Sequence, residues 1–211
     1  MRRLLTAAIL VSGLLVSAVS GGDAQTAEQK CSAQLARSLT IRGLRLGMSI
    51  EETLALFPGA SERQDVKSAL ANANDHPNYG QARLSFAPGN VSQSVRQTRF
   101  EGVSNINVTL FDSRLVSFSV QYPGFEGGGY SWKNVDDLIS KFAETLRLPE
   151  PRYWNSNDGY TKHLDCGELR VSAFASGNGN GSITIADDSY VKVVEERRSS
   201  LYEKRRHEFK P

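Results

Sequence analysis

Two runs of alternating residues, at 105–110 and 116–122, constrain this chain more than any other feature. Ile106, Val108 and Leu110 alternate with Asn105, Asn107 and Thr109. Val116, Phe118, Val120 and Tyr122 alternate with Ser117, Ser119 and Gln121. A two-residue repeat sends every second side chain to the same side of a strand. Asp112-Ser113 lies between the runs and has tight-turn chemistry, so the pair reads as a β-hairpin. Its inner face is apolar and its outer face is built from amides and hydroxyls.

The elements around this hairpin follow the same logic. Ala82, Leu84 and Phe86 alternate as one more strand. Further strands are expected around 160–166, 169–174 and 182–186, the last two joined by the glycine-rich loop at 176–181. Ser49 and Glu52 form a capping box, which satisfies free amide donors at a helix start. Ile50, Leu54 and Phe57 then share a helical face, and Pro58-Gly59 stops the helix after about two turns. So short a helix needs a sheet to pack on. A longer helix is expected from Val135, Leu138, Ile139, Phe142 and Leu146. It is capped by Asn134, favoured by Asp136 and Asp137 at its positive end, and stopped before Pro149. Leu54, Phe57, Leu138, Ile139 and Phe142 should be buried. Residues 60–80 read as a polar loop. Trp132, Tyr153 and Trp154 bracket the longer helix and read as core.

The start of the chain carries an address. Arg2 and Arg3 precede an apolar run from Leu4 to Val19, and small residues follow. This is the order of a secretory signal peptide spanning residues 1–20, with cleavage as late as residue 24. The run is too short and too interrupted to span a membrane, so no transmembrane span is expected in the mature chain. The expected location is periplasmic or secreted. The formal charge of +2 falls to zero once Arg2 and Arg3 are removed, which leaves no general attraction for nucleic acid. In an oxidising compartment the two cysteines, Cys31 and Cys166, are expected to form one disulfide. Neither has the Cys-x-x-Cys setting of a redox thiol.

The chain thus reads helix-then-strands twice. The expected fold class is α+β: two tandem helix-on-antiparallel-sheet units at 25–123 and 130–188, and a charged C-terminal helix at 189–211. The run Tyr122-Pro123-Gly124-Phe125-Glu126-Gly127-Gly128-Gly129 reads as a flexible link between them. The segment Leu46-Gly47-Met48-Ser49-Ile50-Glu51-Glu52-Thr53-Leu54-Ala55-Leu56-Phe57-Pro58-Gly59 resembles the signature of the SmpA/OmlA envelope proteins, which are grouped with β-lactamase-inhibitor-protein-like domains. The resemblance implies a short helical element on an antiparallel sheet, often in tandem, and a non-catalytic binding role in a bacterial envelope. Unlike those lipoproteins, this chain has no lipid-modifiable cysteine after its signal.

Catalytic spacing is hard to find. His163 and Asp165 share one face of a strand, where an aspartate can orient an imidazole for general-base work. No Gly-x-Ser-x-Gly nucleophile elbow accompanies them. His76 precedes a proline in an ordinary turn, and the three histidines lack zinc-ligand spacing. Asp187-Asp188 reads as a helix cap and not as a calcium site. No metal and no cofactor are expected. Asn-Val-Ser at 90–92 and Asn-Val-Thr at 107–109 are glycan acceptors only in a host that glycosylates.

The tail from residue 189 holds seven Lys or Arg against four Asp or Glu. Val191, Val194 and Leu201 give it one weak apolar stripe, so its first turns should dock and the rest should run into solvent. Arg197, Arg198, Lys204, Arg205 and Arg206 form a candidate interaction tail, and deletion from residue 197 should leave the fold intact. The favoured reading is an exported, non-catalytic module that binds a protein or an envelope component through a sheet face or this tail. The alternatives are a secreted hydrolase using His163 and Asp165, or His76, and a protein inhibitor of an enzyme. A flat polar sheet face favours binding, whereas a concave pocket around the histidines favours hydrolysis.

Overall fold

The computed structural model describes residues 31–87, 99–124, 132–156 and 158–208. The signal segment, the sequon at 90–92 and most of the glycine-rich link lie outside the described residues. Among the described residues, five α-helices and seven strands follow in chain order. They are α1 (Ala33–Ser38), α2 (Ile50–Leu54), α3 (Gln64–Ala71), β1 (Gln81–Phe86), β2 (Asn105–Phe111), β3 (Arg114–Tyr122), α4 (Val135–Leu146), β4 (Asn155–Ser156), β5 (Thr161–Cys166), β6 (Leu169–Ala175), β7 (Gly181–Asp187) and α5 (Ser189–Glu208).

The strands make a single antiparallel sheet in the order β1-β2-β3-β7-β6-β5-β4. Every second residue along them points to one face. Leu84, Ile106, Val108, Phe118, Val120, Ile183, Ile185, Val171 and Leu164 are all buried there. Helices α1 and α4 cover β6, α2 packs against β3, and α3 packs on β1. One continuous apolar cluster spans both halves of the chain. Pairing of β3 with β7 carries the sheet across the middle, with Phe118 opposite Ile185 and Val120 opposite Ile183.

The local elements follow their residues. Ser49 Oγ accepts from the Glu52 amide at 3.2 Å, while Glu52 Oε2 accepts from the Ser49 amide at 2.8 Å. This is the expected capping box, although the regular helix spans only Ile50–Leu54 and ends before Phe57, short of the expected two turns. The preceding segment is fastened to the hairpin: the Gly47 amide donates to the Leu115 carbonyl, and the Leu115 amide to the Met48 carbonyl. Phe57 is buried and stacked on Phe86, with ring centroids 3.9 Å apart. Asn134 Oδ1 accepts from the Asp137 amide at 2.9 Å and starts α4. Arg147, at φ 56°, ends it in the left-handed conformation. Leu138 and Ile139 are buried, whereas Leu54 and Phe142 are only half-buried, at the rim of the helix layer.

Three expectations are corrected. Residues 60–80 hold a 3₁₀ turn at Ala60–Glu62 and the helix α3, because Val66, Leu70 and Ala69 supply a narrow apolar stripe. Val116 does not join Phe118 on the inner face. A β-bulge shifts the register between Thr109 and Leu110, so Leu115 turns inward and Val116 turns out toward α5. Of the stripe Val191, Val194 and Leu201, Val194 alone is buried and docks α5, while Val191 and Leu201 are exposed.

The disulfide is present. Cys31 and Cys166 are bridged with their Cα atoms 5.1 Å apart, tying the segment before α1 to the end of β5. Among the described residues, no helix is long and apolar enough to cross a membrane.

Candidate functional site

The face opposite the helices is polar, and its side chains line up by strand register. One row runs His163, Ser172, Thr184, Ser119, Asn107, Ser85 from β5 to β1. The next runs Thr161, Phe174, Ser182, Gln121, Asn105. A third runs Asp165, Arg170, Ala186, Ser117, Thr109, Arg83. Six strands at about 4.8 Å spacing put about 24 Å between β1 and β5. Charges sit at the margins of this surface, and the centre carries mostly hydroxyls and amides.

Some of these groups bond to one another. Thr184 Oγ1 donates to Ser119 Oγ at 3.0 Å, Ser85 Oγ to Asn105 Oδ1 at 3.0 Å, and Asn105 Nδ2 to Asn107 Oδ1 at 3.2 Å. Among the described residues, the side chains of Ser172, Ser182, Gln121 and Ser117 have no protein partner. They are part-exposed and available to hydrogen-bond with whatever lies against the face. Phe174 breaks the polar pattern: it stands on this face, 40% exposed. Beside it lies a shallow depression of about 330 Å³, lined by Ser104, Gln121, Asn180 and Ser182 as well.

The histidine pair lies at the edge of the same face. His163 Nε2 is 3.5 Å from Asp165 Oδ2, and Asp165 Oδ1 accepts from Arg170 Nε at 3.3 Å. Arg170 also pairs with Asp188 at 3.0 Å. Asp165 is thus shared with an arginine, and neither His163 nor His76 lines any of the described grooves. His76 packs edge-on against Tyr79, with centroids 5.4 Å apart. Asp187 Oδ1 caps α5 by accepting from the Ser189 amide at 3.1 Å. Among the described residues, no group of three His, Cys, Asp or Glu is placed to hold a metal.

Helix α5 leaves β7 and docks over the hairpin end. Val194 is buried with Tyr79 and Phe111, and Tyr190 and Val116 pack beside them. Arg197 holds Asp112 with two bonds of 2.8 and 2.6 Å, donates to the Tyr79 carbonyl at 3.2 Å, and lies 4.8 Å over the Phe111 ring. Hydrogen bonds from Arg197 hold the Asp112 carboxyl below the usual aspartate range, and the same bonds raise the guanidinium. Burial raises the Tyr190 hydroxyl. Arg198 bonds to Glu195 and lies 5.7 Å over Tyr79. Arg197 is therefore an anchor within the chain, and a cut at residue 197 removes the latch that a cut after Arg198 spares. From Ser200 to His207 the helix is exposed, with Tyr202 at 67%.

Trp132 and Trp154 are core, as their placement beside α4 implied, whereas Tyr153 is only half-buried. Trp132, Tyr122 and Phe142 form an aromatic trio that walls a groove of about 400 Å³ between α4 and residues 40–42. Lys162 pairs with Asp136 at 2.6 Å and fastens α4 to the sheet edge.

The polar outer residues of β2 and β3 were legible from the hairpin alternation. Their continuation through Ser172, Phe174, Ser182 and Thr184 was missed. The signal was Ser182-Ile183-Thr184-Ile185, whose alternation fixes the outer side of β7 as firmly as that of β3. The chain matches no protein-family model, no curated protein and no solved structure.

Proposed function

We propose that this protein is an exported, non-catalytic binding module of the cell envelope that receives its partner on the uncovered sheet face. The observation that carries this reading is the face itself. It is an array rich in Ser, Thr, Asn and Gln across six strands, with several donors and acceptors unused by the protein among the described residues, and neither His163 nor His76 lines any of the grooves described above. Hydrolysis needs converging groups around a reacting atom, and Asp165 is instead divided between His163 and Arg170. The Cys31–Cys166 bridge supports export, since such bonds persist in oxidising compartments.

The tandem organisation belongs to the same proposal. β1-β2-β3 and β5-β6-β7 are each three-stranded meanders preceded by helix, and they meet through their last strands, β3 and β7. That order supports the likeness to SmpA/OmlA-type domains, with two units sharing one sheet and one core.

The test is cosedimentation of the full disulfide-bonded chain with isolated envelope fractions. Thr184→Arg should abolish it while leaving the melting temperature unchanged. His163→Ala and a truncation after Arg198 should sediment as the parent does. Retained sedimentation by Thr184→Arg would overturn the face as the binding site, and loss on truncation alone would assign binding to the charged arm.

A further inference from the structure

We infer that the occupant of the open face is an uncharged glycan strand, stacked on Phe174 and hydrogen-bonded along the rows that flank it. This deepens the binding reading above and rests on it. The argument runs through the chemistry of the face. The adjacent rows of Thr184 and Phe174 carry no Lys, Arg, Asp or Glu, so a phosphate backbone or an acidic polymer finds counter-charges only on the neighbouring row, at Arg170 and Arg83. They expose one large apolar side chain, which does not suffice to enter a lipid surface. A protein partner normally anchors in Trp, Tyr or Arg, and serine and threonine are under-represented among such anchors. A polyol needs what this face has: closely spaced groups that both donate and accept, and an aromatic ring beside them to cover its C–H surface.

The placement is specific. Phe174 is flanked across the strands by Thr161 and Ser182, and Gln121 lies next along the row. Gln121 and Ser182 have no protein partner for their side chains among the described residues and line the depression beside the ring. Ser172 and Thr184 continue the surface on the adjacent row. An extended chain laid across the strands meets hydroxyl or amide at each spacing of about 4.8 Å, so several sugars can be engaged at once.

The test uses the full disulfide-bonded chain, isotope-labelled, titrated with two neutral probes: an N-acetylglucosamine tetramer and a glucose tetramer. At least one should shift the amide signals of Phe174, Ser182, Gln121 and Thr184 in a saturable way. Phe174→Ala should weaken that binding about tenfold, a loss of about 1.4 kcal/mol. Tyr202→Ala, which removes an exposed ring from the arm, should not change it. If neither probe shifts these signals, the glycan inference is overturned. Thr184→Arg in the cosedimentation assay then decides whether the face still binds something else. Shifts confined to the groove at Trp132 would also overturn it.

Discussion

The two faces of the sheet are made by the same seven strands, yet they follow opposite rules. Inward, Ile183 and Ile185 are fully buried beneath helices. One residue away, Ser182 and Thr184 are part-exposed on the opposite face, which among the described helices meets only α5, at its hairpin end. The inner face is constrained by packing, where each methylene lost leaves a cavity. The outer face has no such constraint, so its repeated choice of small uncharged hydrogen-bonding residues calls for another cause. On the binding proposed above, stability belongs to one face and recognition to the other, and the alternation of the strands keeps the two separate.

The largest effects should come from the covered side. Replacing both cysteines with serine frees a loop of 135 residues and should cost about 4–5 kcal/mol in the chain-entropy account, read from denaturant melts. Phe57→Ala removes a ring stacked between Phe86 and Phe100 and should cost about 3–5 kcal/mol. A loss below about 1 kcal/mol would show that this face collapses freely and would break the contrast. Phe142→Ala should cost less than Phe57→Ala, because Phe142 is half-buried on the groove wall.

An intermediate effect is expected where α5 crosses the hairpin end. Arg197→Ala should cost about 1 kcal/mol, since both partners of the Asp112 pair are more than a third exposed. The folded carboxyl of Asp112 titrates below its unfolded value of about 3.9. Its contribution is therefore fully present above that value and is lost as pH falls through the lower, folded one. Helix α5 should loosen in that acid window, seen in the signals of Tyr190 and Val194, and Arg197→Ala should already be loosened at neutral pH. Gly80→Ala should loosen it as well, because φ is +98° and a Cβ would collide with the Arg197 guanidinium.

The smallest effects belong to the open face. Ser172→Ala and Ser182→Ala should each change stability by less than about 0.5 kcal/mol. A larger loss would mean that these hydroxyls serve the fold and not a partner.

Much of this was legible in the residues. The capping box at Ser49 and Glu52, the turn at Asp112-Ser113, the α4 stripe and the disulfide each depend on local chemistry or on compartment. Helix α3 was not legible, because its cap residue Arg63 makes no side-chain cap bond and only Val66 is fully buried. The bulge that turns Val116 outward depends on cross-strand register, which alternation alone does not reveal. The docking of α5 was legible only at Val194, for a related reason. Its contact side is Tyr190, Val194 and Arg197, a ring, a methyl pair and a guanidinium, and a search for aliphatic spacing passes over two of the three. The open face was half legible, since β2 and β3 announced it and only the pairing of β3 with β7 extended it.

The most direct measurement compares two neighbouring residues on β7. Ile183→Ala and Thr184→Arg are each melted in denaturant and assayed for envelope cosedimentation as the full disulfide-bonded chain. The account predicts that Ile183→Ala loses about 2–5 kcal/mol and still binds when folded, and that Thr184→Arg melts as the parent does and no longer binds. A Thr184→Arg protein that binds normally, or one that loses as much stability as Ile183→Ala, would contradict the division of the sheet into a folding face and a binding face.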